Sequence, residues 1–209
     1  MLHHFLKTAC LILFLTAVTK PANAEAPLNP LSMADTLPFR EMPAYPETYT
    51  PTAVAASMIE GLGFRYYWAT EGLRPEDLGY KPAPDARRSE ETLQHIYSLA
   101  LMISNAVNQQ PNVRPGPSAP EDFTELRRAT LELLQQASQV LRESDPSALQ
   151  EMDIVFERAG QQSAFPFWHQ FHGPIADALW HVGQVVAFRR ASGNPVSPKV
   201  SWFSGRVRE

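Results

Sequence analysis

Cysteine is almost missing from this chain: 209 residues contain one, Cys10. It lies in an apolar run near the N-terminus, and once that run is removed the remainder carries no thiol. Disulfides, a thiol nucleophile and thiolate metal ligands are then excluded. There is no glycine-rich phosphate loop ahead of a helix, no GxSxG elbow and no CxxC pair, so the usual signatures of phosphate-loop, α/β-hydrolase and thiol-redox chemistry are absent. The formal net charge is −4. With no long run of either sign, this argues against nucleic acid as a partner.

What is present begins with MLHHFLKTACLILFLTAVTKPANAEAP. A short basic start with Lys7, an apolar run from Ala9 to Val18 and Ala22-Asn23-Ala24 before Glu25 form the pattern of a cleavable secretory signal over residues 1–24. The run is too short to span a bilayer. Cys10 lacks the preceding apolar stretch of a lipoprotein signal, which argues against lipid anchoring. The expected mature protein starts at Glu25, is secreted or periplasmic, has no membrane span, and is more acidic, since Lys7 and Lys20 leave with the signal and no acid does. Six prolines from Pro21 to Pro46 make residues 25–49 a linker or a surface strap.

Helical periodicity dominates the rest. Thr50-Pro51 supplies a cap and an N1 proline for a helix over 51–72 that buries Val54, Met58, Ile59, Leu62, Tyr66 and Ala69. Ser89 with Glu90 and Glu91 opens a second helix to about Val107. A third, 121–143, places Phe123, Leu126, Thr130, Leu133, Leu134, Ala137 and Leu141 on one face. A fourth, 174–192, is apolar almost all round and reads as largely buried. Residues 153–160 read as a short strand or a turn. Phe165, Phe167, Trp168 and Phe171 form a hydrophobic plug over one end of the helices, or else the wall of a pocket. The expected fold is all-α, a four-helix bundle over 51–195 with an extended tail at 196–209 and no sizeable sheet.

One stripe of the last helix is polar. At about 100° per residue, His181 lies about 40° from Asp177 and Gln184 about 20° from it on the other side. A carboxylate and an imidazole at i and i+4 either hydrogen-bond locally or present two ligands to one metal ion. The second helix carries another such anomaly, His95, on a face with Ile96, Leu99, Met102 and Ile103. Burying each group unpaired costs on the order of 1–3 kcal/mol, which mutual pairing or a shared metal removes. Glu71, His169 and His172 are outer candidates for a general base.

The stretches ATEGLRPEDLGYKPAPDARRSEETLQHIYSLA and DALWHVGQVVAFRRASGNP resemble the DinB-like bacterial four-helix bundles over about residues 51–195. The resemblance implies a divalent metal, zinc or nickel, held by one histidine of the second helix and a pair at i and i+4 in the last. On this chain those positions are His95, Asp177 and His181. Asp177 departs from the familiar pattern, which has histidine there, and gives a two-histidine, one-carboxylate set. The functional expectation is a metal-dependent hydrolase acting on a small-molecule substrate of unknown identity. The alternative is a non-catalytic metal-binding or structural bundle. A homodimer stays open.

Overall fold

The computed structural model describes residues 37–209. The expected signal segment, 1–24, and residues 25–36 of the linker lie outside the described residues. Helix α1 (Pro51–Thr70) starts where the Thr50 hydroxyl accepts from the Ala53 N–H at 3.1 Å, which satisfies one of the donors a helix N-terminus leaves free. After a four-residue helix, α2 (Pro75–Leu78), comes α3 (Ser89–Val107). Arg88 rather than Ser89 is its cap residue, with the Glu91 carboxylate accepting the Arg88 N–H at 2.7 Å. Asp122 caps α4 (Phe123–Glu143) by accepting from Glu125 N–H at 3.0 Å. The last long helix, α6 (Ala176–Ala191), follows a short α5 (Trp168–Gln170) and a widened π turn, Phe171–Ile175, that contains Pro174. A proline has no N–H to donate, and π turns of this kind recur next to functional groups.

The long helices enclose a core of Ile59, Leu62 and Tyr66 from α1, Ile96 and Ile103 from α3, Leu131 and Leu134 from α4, and Val182 and Val185 from α6. Two burial expectations are corrected. Val54 and Met58 are exposed, whereas Ala55, Ala56, Phe64 and Tyr67 are buried, because α1 lies between α4 and α6 and is covered on most of its circumference. Conversely α6 is not largely buried: Trp180 is 72% exposed, and only Ala178, Val182, Val185 and Arg189 are fully inside.

The all-α four-helix-bundle expectation fails on the connections. The described residues are 53% helical, and two small sheets complete the fold among them. Strand β1 (Asn112–Arg114) pairs in parallel with β2 (Ile154–Arg158), which pairs antiparallel with β3 (Gln161–Phe165). The β2–β3 turn uses Ala159 and Gly160, both at positive φ (51° and 77°), the backbone of a two-residue turn matched to strand twist. The tail is not simply extended either, since β4 (Val200–Ser201) and β5 (Arg206–Val207) form a hairpin.

Residues 37–49 are a strap rather than a free linker. The Phe39 ring lies against Gly63, the Trp68 indole N–H donates to the Arg40 carbonyl at 3.0 Å, Met42 N–H donates to the Gly205 carbonyl at 2.9 Å, and Arg142 donates to the Ala44 carbonyl at 3.0 Å. A Cβ at residue 63 would lie 2.4 Å from the Phe39 ring. Gly63→Ala is therefore expected to lift the strap and destabilise the protein by about 1–3 kcal/mol, the usual cost of overpacking. Thermal unfolding beside Gly61→Ala, whose Cβ would meet only the Arg65 guanidinium at 3.4 Å, checks this.

Candidate metal centre

His95 projects from the middle of α3, and Asp177 and His181 from the first half of α6, where the two helices pack side by side. The π turn immediately before α6 sets where its first turn, and so Asp177, stands. His95 Nε2 is 3.3 Å from Asp177 Oδ2, and His181 Nε2 is 3.3 Å from Asp177 Oδ1. The two imidazoles meet edge to face with ring centroids 4.7 Å apart. One ligand atom from each residue lies within 4.8 Å of the others, and among the described residues this is the one such group of three or more. The structure thus brings together the three side chains that the sequence singled out.

The donor set fits a divalent ion. His181 Nδ1 is 2.8 Å from Gln184 Oε1; with that oxygen as acceptor, Nδ1 carries the proton and Nε2 keeps its lone pair for a metal. A lone pair and a carboxylate oxygen 3.3 Å apart repel unless a cation lies between them. That separation is beyond a good N–H···O bond, yet it is about the edge of a tetrahedron whose metal–ligand bonds are roughly 2.0–2.1 Å. Burial pushes the His95 imidazole below its ordinary value; the hydrogen bond with Asp177 opposes this, while the charges of His181 and Arg87 reinforce it. A depressed value keeps the ring unprotonated, the form that binds metal.

One side of the group is open. The Asp177 side chain is 42% exposed and that of His95 32%, and both histidines face a cleft of about 510 Å³ whose walls include Pro82, Arg87, Gln184 and Phe188. A site with three protein ligands and an open face is the arrangement of catalytic rather than closed structural metal sites. Arg87, at the mouth, was not foreseen. It is exposed and has no carboxylate within ion-pair distance among the described residues. Its neighbour Arg88, by contrast, pairs with Glu90 and Glu91.

The outer candidates are elsewhere. Glu71 is paired with Arg127, and its carbonyl accepts from Arg189 at 2.9 Å. His169 and His172 lie against each other, ring centroids 4.9 Å apart, and neither lines the cleft. Arg189, in the last turn of α6, is buried and donates to the carbonyls of Trp68 and Ala69 as well as Glu71, satisfying the C-terminus of α1. No family model matches this chain, and neither a curated protein nor a solved structure matches it.

Proposed function

We propose that this protein is a metal-dependent enzyme of hydrolase type whose substrate is a small molecule bearing an anionic group. The observation that carries the reading is a His95–Asp177–His181 group, fit to hold a divalent ion, two of whose members, His95 and His181, line an open cleft. The match of these residues to the positions implied by the DinB-like resemblance supports it. His95, Asp177 and His181 would hold a zinc or nickel ion, which would supply Lewis acidity and a water of lowered pKa. The chain's own residues orient the ligands and receive the substrate: Gln184 fixes the His181 tautomer, Arg87 meets negative charge at the mouth, and Phe188 and Pro82 offer apolar contact. Arg87 suits an anion because a guanidinium presents a fixed fork of donors to a carboxylate or phosphate.

The test compares p-nitrophenyl phosphate with p-nitrophenyl acetate, using protein depleted by a chelator and then reloaded with zinc. Turnover is expected to disappear on depletion, return with zinc and vanish in Asp177→Asn. In Arg87→Ala the KM for the phosphate should rise about tenfold, one charge-assisted contact, with the neutral ester unaffected. Activity that survives depletion contradicts the reading.

A second reading is favoured by the carboxylate that spans both rings: a hydrogen-bonded polar network of His95, Asp177 and His181 without turnover. It predicts that zinc leaves the melting temperature unchanged. The metal-centre reading predicts an increase that grows with free zinc concentration.

A further inference from the structure

A second cleft, of about 650 Å³, shares no wall with the metal cleft. It lies between the first turn of α1, contributing Val54, the connection after α4, contributing Leu149 and Asp153, and the α5 region, contributing Phe167, Trp168 and Phe171. The aromatic segment therefore becomes the wall of a pocket. Phe167 and Phe171 meet at 79° with centroids 5.5 Å apart, and Trp168 and Phe171 at 54° and 6.0 Å. Phe167 is held in the core, but Trp168 is 74% exposed, an indole left available beside an apolar hollow. Asp153 is half-buried in the facing wall and makes no hydrogen bond or ion pair with any described residue.

We propose that this cleft binds a small organic cation, an alkylated ammonium on an aryl or alkyl body. The exposed Trp168 indole, with Phe171 beside it, offers an electron-rich face to a positive charge, and a tetraalkylammonium sheds its weak hydration at little cost, so the aromatic wall compensates it well. Asp153 supplies the opposite charge, and Val54 and Leu149 cover the apolar body. A neutral aromatic ligand would gain the apolar contact alone. An anionic one would meet Asp153 with like charge.

The experiment is isothermal titration of the purified protein with benzyltrimethylammonium, beside benzyl alcohol and benzoate. One cation is expected to bind, with both controls weaker by at least about tenfold, the scale of one or two cation–π contacts. Asp153→Asn and Trp168→Ala should each weaken the cation by about tenfold with unchanged circular dichroism, as both side chains are outside the core. His181→Ala should leave its affinity unaltered, which separates this site from the metal centre. Three results overturn the proposal: no binding, benzyl alcohol binding as tightly as the cation, or unchanged affinity in Asp153→Asn. So does a concentration-dependent dimer, seen by sedimentation, that Trp168→Ala abolishes, for the hollow is then an interface between two copies of the chain.

Discussion

His181→Ala is expected to abolish stoichiometric zinc binding, lowering affinity by at least about a hundredfold. The arithmetic follows from the total: a structural zinc site with four ligands is worth about 10–16 kcal/mol, so each ligand carries on the order of 3 kcal/mol, and 1.4 kcal/mol is tenfold. The substitution removes one of the two imidazoles and leaves His95 and Asp177, too few donors to hold the ion in competition with water. It leaves the fold intact, because His181 lies on the partly exposed side of α6 and its other partner is Gln184 alone. Gln184→Ala keeps all three ligands and frees the His181 ring to change tautomer; a loss of about tenfold to a hundredfold is expected for such a supporting partner. Competition with a chromogenic chelator orders the proteins: wild type, then Gln184→Ala, then His181→Ala. Equal affinity in wild type and His181→Ala contradicts the site.

Asp77→Ala is expected to produce the largest loss of stability. The Asp77 side chain is wholly buried. Its carboxylate accepts from the Arg74 N–H at 2.8 Å, from the Arg74 guanidinium at 2.9 and 3.0 Å, from the Ser192 hydroxyl at 2.5 Å and from the Asn194 amide at 2.6 Å. One carboxylate thus ties the start of α2 to the residues following α6. Removing one member of a buried charged network costs about 3–5 kcal/mol, and a domain of this size loses about 2–4 °C per kcal/mol, so a drop on the order of 10 °C is expected in differential scanning calorimetry. These donors, led by the Arg74 guanidinium, hold the Asp77 carboxyl far below the usual carboxylate range. The folded state therefore binds its proton more weakly than the unfolded chain. The stabilisation is complete above the ordinary value of 3.8 and is lost as pH falls below it. Asp77→Asn should be less stable than wild type at pH 7 and should lose less stability than wild type on acidification from pH 4.

Helices α3 and α4 were legible because each carries an apolar period over more than ten residues, and α1 and α6 because long apolar stretches lie between a cap or proline and a glycine. Ser89–Val107 runs as the periodicity predicts, and Phe123–Glu143 begins within two residues of the predicted start. The strands were not legible. Asn112–Arg114 has three residues and finds its partner more than 40 residues later, and no local pattern announces such a pairing. Val54 and Met58 misled because α1 is covered from two sides, so periodicity marks no single buried face. Of the metal centre, His95, Asp177 and His181 stood out as polar residues on apolar faces. Arg87 did not, being one charge in a polar loop that only the fold brings to the cleft. Asp77 and Arg189 carried no signal in the sequence, since Asn194 and Ser192, which close on Asp77, and the α1 carbonyls that Arg189 meets lie more than a hundred residues away in the chain. Asp153 was equally silent, for it matters only opposite the aromatic segment.

Zinc K-edge X-ray absorption of the zinc-loaded protein tests the metal centre most directly. The account predicts a first shell of two imidazole nitrogens and carboxylate oxygen at about 2.0–2.2 Å, with both imidazole multiple-scattering signatures retained in Asp177→Asn and no imidazole-bound zinc left in His181→Ala. A shell without imidazole, or one that His181→Ala leaves unchanged, would contradict it.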